Sequence, residues 1–152
     1  MRIMEFLCPE AIVIDLKATE KKAAIKELVD SLAKSNKIKD SDEITKTILE
    51  REKLGSTGIG QGVALPHGKT DAVKEQVGVI GISSNGVEFN SLDGEPVFLV
   101  FLLVGPLDAA GQHLKALARI TRLFKDKFFR QALRDAKVVK DVVGIIEKED
   151  EY

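Results

Sequence analysis

Val97-Phe98-Leu99-Val100-Phe101-Leu102-Leu103-Val104 is the longest uninterrupted apolar run in the chain. It has the length of a strand and falls far short of the roughly 20 residues a membrane helix needs. A strand with one wet face alternates apolar and polar residues, whereas one covered on both faces reads as continuous apolar sequence. This run therefore predicts a central strand of an α/β sheet, ended by Pro106.

Working outward, residues 77–82 read as a second strand. Asn85-Gly86 is a turn signal, 87–89 a short strand, and Asp93-Gly94 another turn. Upstream, Thr19 is the expected N-cap of a helix carrying Ile25, Leu28, Val29 and Leu32 on one face. Ser41 is the expected cap of a second helix with Ile44, Ile48 and Leu49, which Gly55 can end. Downstream, a third helix is expected over 110–124, with Leu114, Leu117, Ala118 and Leu123 among its apolar positions. Amphipathic segments follow at 127–133 and 137–146. Helices before, between and after strands indicate an α/β layer architecture. The expectation is one domain over 1–152 with its core at about 5–146, the acidic tail 147–152 being frayed.

The composition narrows the function classes. A chain of 152 residues fits one ordinary domain, and its 44% hydrophobic and 31% charged residues make it globular. With 23 basic and 24 acidic residues the net charge is -1, so no overall field draws it to nucleic acid or a membrane. One cysteine, Cys8, rules out an internal disulfide. Glu5 and Pro9 interrupt the apolar N-terminus, so no signal peptide is read there. A cytoplasmic location is expected.

Residues 55–68 break the helical pattern, with glycines at 55, 58, 60, 62 and 68 and a proline at 66. The segment reads as a tight loop, with 63–65 a short strand leading to Pro66-His67. Proline before His67 and glycine after it expose an imidazole in a defined place; a loop histidine without a chemical role is the plainer alternative. His113, the other histidine, falls in the first turn of the third helix on the side of Leu117, Ile120 and Phe124. A half-buried core histidine is the plainer reading there, and a donor to a bound anion the sharper one. Ser56, Thr57 and Gly58 can offer amides and hydroxyls to a phosphoryl group, or form a simple turn. Arg51 is either paired with a neighbouring glutamate or a forked phosphate ligand.

Several familiar chemistries are excluded. Gly68-Lys69-Thr70 resembles the end of a phosphate-binding P-loop, but Val63 stands where that motif needs glycine. Gly58-Ile59-Gly60 fails as a dinucleotide fingerprint at the same residue. Two histidines with one remote cysteine and no H-E-x-x-H make no zinc site, and no G-x-S-x-G elbow marks a hydrolase. No metal or cofactor is expected.

The stretch Leu49-Glu50-Arg51-Glu52-Lys53-Leu54-Gly55-Ser56-Thr57-Gly58-Ile59-Gly60, continued by Val63-Ala64-Leu65-Pro66-His67-Gly68, resembles the signature of enzyme IIA domains of the bacterial phosphotransferase system. The subfamily it resembles is the fructose/mannitol type, which includes nitrogen-related regulatory proteins. Pro96 to Val104 and Gln112-His113-Leu114 form a second matching block, and the likeness runs from about Glu5 to Ile146. The stretch 86–97 looks more like fructose-type members. The resemblance implies a single mixed β-sheet flanked by α-helices on both faces. It also implies that His67 is the phosphorylated histidine, His113 a second site histidine and Arg51 a phosphate-binding arginine, with Ser56 and Thr57 beside the site. It implies an HPr-type carrier as donor, a IIB protein or domain as acceptor, and the membrane reached only through a IIC permease. Leu65 stands where isoleucine is common, a like-sized exchange.

Overall fold

The structure is a computed structural model and describes residues 1–151. Two 3-10 turns, Ile3–Glu5 and Pro9–Ala11, precede helices α1 (Lys21–Lys34) and α2 (Ser41–Lys53). Strands β1 (Gly58–Gly60), β2 (Val63–Ala64), β3 (His67–Lys69), β4 (Val77–Val87) and β5 (Val97–Gly105) follow. Helices α3 (Ala110–Phe124), α4 (Lys127–Asp135) and α5 (Val139–Asp150) complete the order.

The apolar run forms β5, the hub of the sheet. On one edge β4 pairs antiparallel with it, from Val77 opposite Val104 to Ile82 opposite Leu99. On the other edge β2 and β3 lie end to end, both parallel to it, and β1 turns back antiparallel along β2. The far side of β4 is bordered by the N-terminal segment, where Cys8 N donates to Gly78 O and Val13 N to Ile80 O. The sheet is mixed.

Because side chains alternate along a strand, β5 feeds two cores. Val100, Leu102 and Val104 meet Ile25, Leu28 and Leu32 of α1 and Ile44 and Ile48 of α2. Leu99, Phe101 and Leu103 meet Ile120 and Phe124 of α3, Leu133 of α4 and Ile146 of α5. Helices therefore cover both faces. Each fully buried side chain of this kind contributes roughly 1.5–3 kcal/mol.

Some local expectations are corrected. Asn85-Gly86 does not end a strand: β4 runs through it with a bulge between Ile82 and Val87, where Gly86 N donates to Ser83 Oγ at 2.8 Å. Thr19 does not cap α1, since its carbonyl accepts from Glu88 N at 2.8 Å and ties that stretch to the sheet. Asp40, not Ser41, caps α2 by accepting from Glu43 N at 3.1 Å. Residues 58–60 and 67–69, expected as loop, are short strands. Leu114 is 67% exposed and lies outside the core. The expected fraying of the tail stops short, because α5 continues to Asp150, which is 3% exposed. Its carboxylate accepts from Ile3 N and Met4 N at 3.0 Å each and pairs with Arg119 at 3.0 Å. Tyr152 lies outside the described residues.

Candidate functional site

Register sets the site. His67 opens β3 opposite Leu103, near the carboxyl end of β5, and Pro66 O accepts from Leu103 N at 3.0 Å. From that end the chain passes Pro106 into α3, whose first turn carries His113. The two imidazole rings come to 5.8 Å between centres, tilted by 50°. Residues 46 positions apart in sequence are thus brought together by one strand-to-helix connection.

Gly68 does more than leave the imidazole before it exposed. A Cβ there would lie 2.9 Å from Thr47 Cγ2, so glycine lets α2 press directly on β3. Arg51 is one helical turn beyond Thr47 and so on the same face. Its Nη1 donates to Gly55 O at 2.9 Å, and its charge reaches His67.

The half-buried His67 ring is held through Nδ1, 2.7 Å from Leu65 O. A carbonyl oxygen only accepts, so Nδ1 carries the hydrogen and Nε2 keeps its lone pair. Burial lowers the proton affinity of His67 below that of ordinary histidine, and the Arg51 charge acts in the same sense. The Leu65 hydrogen bond and the Glu52 charge oppose them without reversing the outcome. His113 is 4% exposed, with Nδ1 2.9 Å from Gln76 Oε1. Burial first, then the charges of His67 and Lys69, push it down to about 4. Both rings are neutral at neutral pH, the state in which imidazole is a nucleophile.

The loop 56–58 is arranged differently from the expected amide cradle. Thr57 donates from both N and Oγ1 to the Glu52 carboxylate, which also lies 3.8 Å from Lys21 Nζ. Ser56 Oγ donates to Phe89 O at 2.7 Å and accepts from Gly58 N at 3.0 Å. The side-chain donors of Ser56 and Thr57 and the amides of Thr57 and Gly58 are thus engaged inside the protein, where they fix the wall beside His67. The roles of Glu52 and Gln76 escaped the sequence reading. Glu52 enters that reading only as a neighbouring glutamate that could pair with Arg51, and Gln76 has no local pattern linking it to a residue 37 positions away. Among the described residues no group of three or more His, Cys, Asp or Glu side chains is placed to hold a metal ion. No described helix is long and apolar enough to cross a membrane.

Fold and site together define an α/β protein whose mixed sheet and following helix bring two neutral histidines face to neighbouring face, with an arginine alongside. The chain belongs to the EIIA 2 family of the phosphoenolpyruvate-dependent sugar phosphotransferase system, whose pattern matches residues 5–149. It is 41% identical to a nitrogen regulatory protein of Bradyrhizobium diazoefficiens, over 95% of this chain and 96% of that one. It is 37% identical to the fructose-specific EIIABC component of Bacillus subtilis, matching 99% of this chain but 24% of that longer protein. Its structure superposes on nitrogen regulatory protein IIA-Ntr from Neisseria meningitidis with a TM-score of 0.87 and 35% identity, covering 95% and 98% of the two chains. IIA mannitol from Escherichia coli follows at a TM-score of 0.77 and 25% identity, with 91% and 97% covered.

Proposed function

We propose that this protein is a cytoplasmic phosphocarrier in which Nε2 of His67 receives a phosphoryl group from a phosphohistidine of an HPr-type carrier. It passes the group to a IIB protein or domain. The observation that carries this reading is the Nδ1 contact of His67 with Leu65 O at 2.7 Å, which leaves Nε2 as the nitrogen with a free lone pair. Nε2 attacks phosphorus as the donor nitrogen leaves with the electrons of its broken P–N bond. Such transfers need positioning and charge stabilisation more than further covalent chemistry. Arg51 supplies a forked cation for the phosphoryl oxygens, and His113, with its ring centre 5.8 Å from that of His67, contacts them as well. The loop at Ser56, Thr57 and Gly58 borders the group and holds the approach to it rigid. Fusion of A with B and C parts in the Bacillus protein's name supports a IIB acceptor.

A second reading has equal support from the 41% identity to a nitrogen regulatory protein of matching length. There the phosphorylation state of His67 controls binding to target proteins. Both readings use one reaction, so the test comes in two stages. Labelled phosphoenolpyruvate with the general carrier proteins is expected to place acid-labile, base-stable phosphate on wild type and none on His67→Ala. Full labelling of that variant would overturn the assignment of His67. Discharge by a sugar-specific IIB protein then supports transport; retention of label with altered binding to a target supports regulation.

A further inference from the structure

Two of the buried polar atoms without a hydrogen-bond partner among the described residues are Nε2 of His113 and Nε2 of Gln76. Their residues are 4% and 8% exposed. They belong to one unit, since Gln76 Oε1 lies 2.9 Å from His113 Nδ1. The amide sits flat against Gly105, where a Cβ would approach Oε1 to 2.4 Å and Nε2 to 2.5 Å. Glycine at 105 is therefore what gives the amide its seat at the end of β5.

This seat has a chemical consequence. An amide oxygen only accepts, so His113 Nδ1 carries the hydrogen and its Nε2 is left as a lone pair. Both histidines of the site then rest in the same tautomer, each tied at Nδ1, to Leu65 O and to Gln76 Oε1 respectively. For His67 a bare Nε2 is what a nucleophile needs. For His113 it is the wrong polarity, because a lone pair facing a phosphoryl oxygen repels it. His113 becomes a donor only by gaining a hydrogen at Nε2.

We propose that Gln76 is a positioning residue that keeps hydrogen on Nδ1 of His113 and so makes phosphorylation of His67 take up one proton at His113 Nε2. The inference rests on the phosphocarrier reading. In the balanced step, the donor's P–N bond breaks and its electron pair stays on the donor nitrogen. The His67 Nε2 lone pair forms the new P–N bond while His67 keeps Nδ1–H. One proton from solvent binds His113 Nε2, giving an imidazolium that donates from Nδ1 to Gln76 and from Nε2 to the phosphoryl group. When the group moves on, the proton returns to solvent.

The surrounding charges give the coupling its direction. At rest His113 faces His67 and Lys69 of β3, while Arg51 and Glu52 of α2 act on His67. Burial and the Lys69 charge hold His113 neutral, joined by His67 once that ring is protonated at low pH, and together they push it down to about 4. A phosphoryl dianion on His67 adds a negative charge beside His113, and an opposite charge that close raises a neighbouring proton affinity by about 1–3 pH units. Between these two values uptake peaks at about half a proton for a one-unit rise and at nearly one for three, and phosphorylation weakens as pH rises.

The test measures the equilibrium extent of phosphorylation from phosphoenolpyruvate through the general carriers across that pH range, for wild type and Gln76→Leu. The ratio of the two cancels the donor's own titration. Wild type is expected to lose up to about tenfold in relative equilibrium constant per pH unit. Gln76→Leu frees the tautomer and is expected to be flat, and Gln76→Glu, which keeps an acceptor and adds charge, to move the window upward. Nitrogen-15 spectra of wild type are expected to show Nδ1–H alone on His113 at rest and both nitrogens protonated after phosphorylation; this stands even if the leucine variant does not fold. Label on His67 with the same pH profile in wild type and Gln76→Leu overturns the coupling alone, as does Nε2–H on resting His113. No label on His67 overturns the phosphocarrier reading and this inference with it.

Discussion

His113 is stored in the fold as a neutral base, and that storage has a thermodynamic signature. Its proton affinity is down to about 4 in the native protein and that of His67 is lowered too, while an unfolded chain restores ordinary histidine. A basic group with a depressed native value stabilises the fold fully above the unfolded value, and the contribution is lost as pH falls from there toward the native value. The unfolding free energy from urea melts is therefore expected to drop between about pH 6.5 and about pH 5, by about 1–2 kcal/mol from His113. In His113→Leu most of that slope is expected to vanish; an unchanged slope would place the titration elsewhere. Of the residues behind this behaviour, only the histidines were legible in the sequence. A proline and a glycine flag His67, and a helix start flags His113. Gln76 was not, because its role depends on two elements closing against each other rather than on any neighbour in the chain.

At the level of elements, the contact between α2 and β3 decides where Arg51 sits. Gly68→Ala places a methyl 2.9 Å from Thr47 Cγ2, and overpacking of that kind costs about 1–3 kcal/mol. The variant is expected to melt lower and, with α2 displaced, to transfer phosphate several-fold more slowly. Thr47→Ser removes the opposing methyl, so the double variant is expected to recover much of both losses. Failure to recover either would show that Gly68 matters for another reason. The sequence made β5 plain because eight apolar residues in a row admit few other readings. It hid β3, since His67-Gly68-Lys69 has no β-branched residue and no Phe, Tyr or Trp, and becomes a strand only because β5 offers it an edge. The same dependence on distant partners explains the Asn85-Gly86 bulge. A turn signal in isolation, it is overridden by the ladder that resumes where Val87 meets Val97.

For the molecule as a whole, the two ends of the chain are joined by one buried carboxylate. Asp150 receives Ile3 N, Met4 N and Arg119, so Asp150→Ala leaves two amides without their partner and Arg119 with only the carbonyl of residue 150. Loss of one partner from a buried pair typically costs about 3–5 kcal/mol. A chemical melt of that variant is expected to show a loss of this order. Near-wild-type stability would mean that water replaces the carboxylate.

That carboxylate also orders events in time. The segment that borders the outer edge of β4 precedes its clasp by 147 residues, and the sheet it borders is complete only at Gly105. At roughly 5–20 residues per second the ribosome then takes roughly 2–9 s to reach Asp150. Over that interval the sheet has a border that is paired but not locked, which is when an exposed strand edge is most open to a neighbouring nascent chain. Crowding on a polysome, rather than heating of the finished protein, is thus the condition under which a change at Asp150 will be felt most.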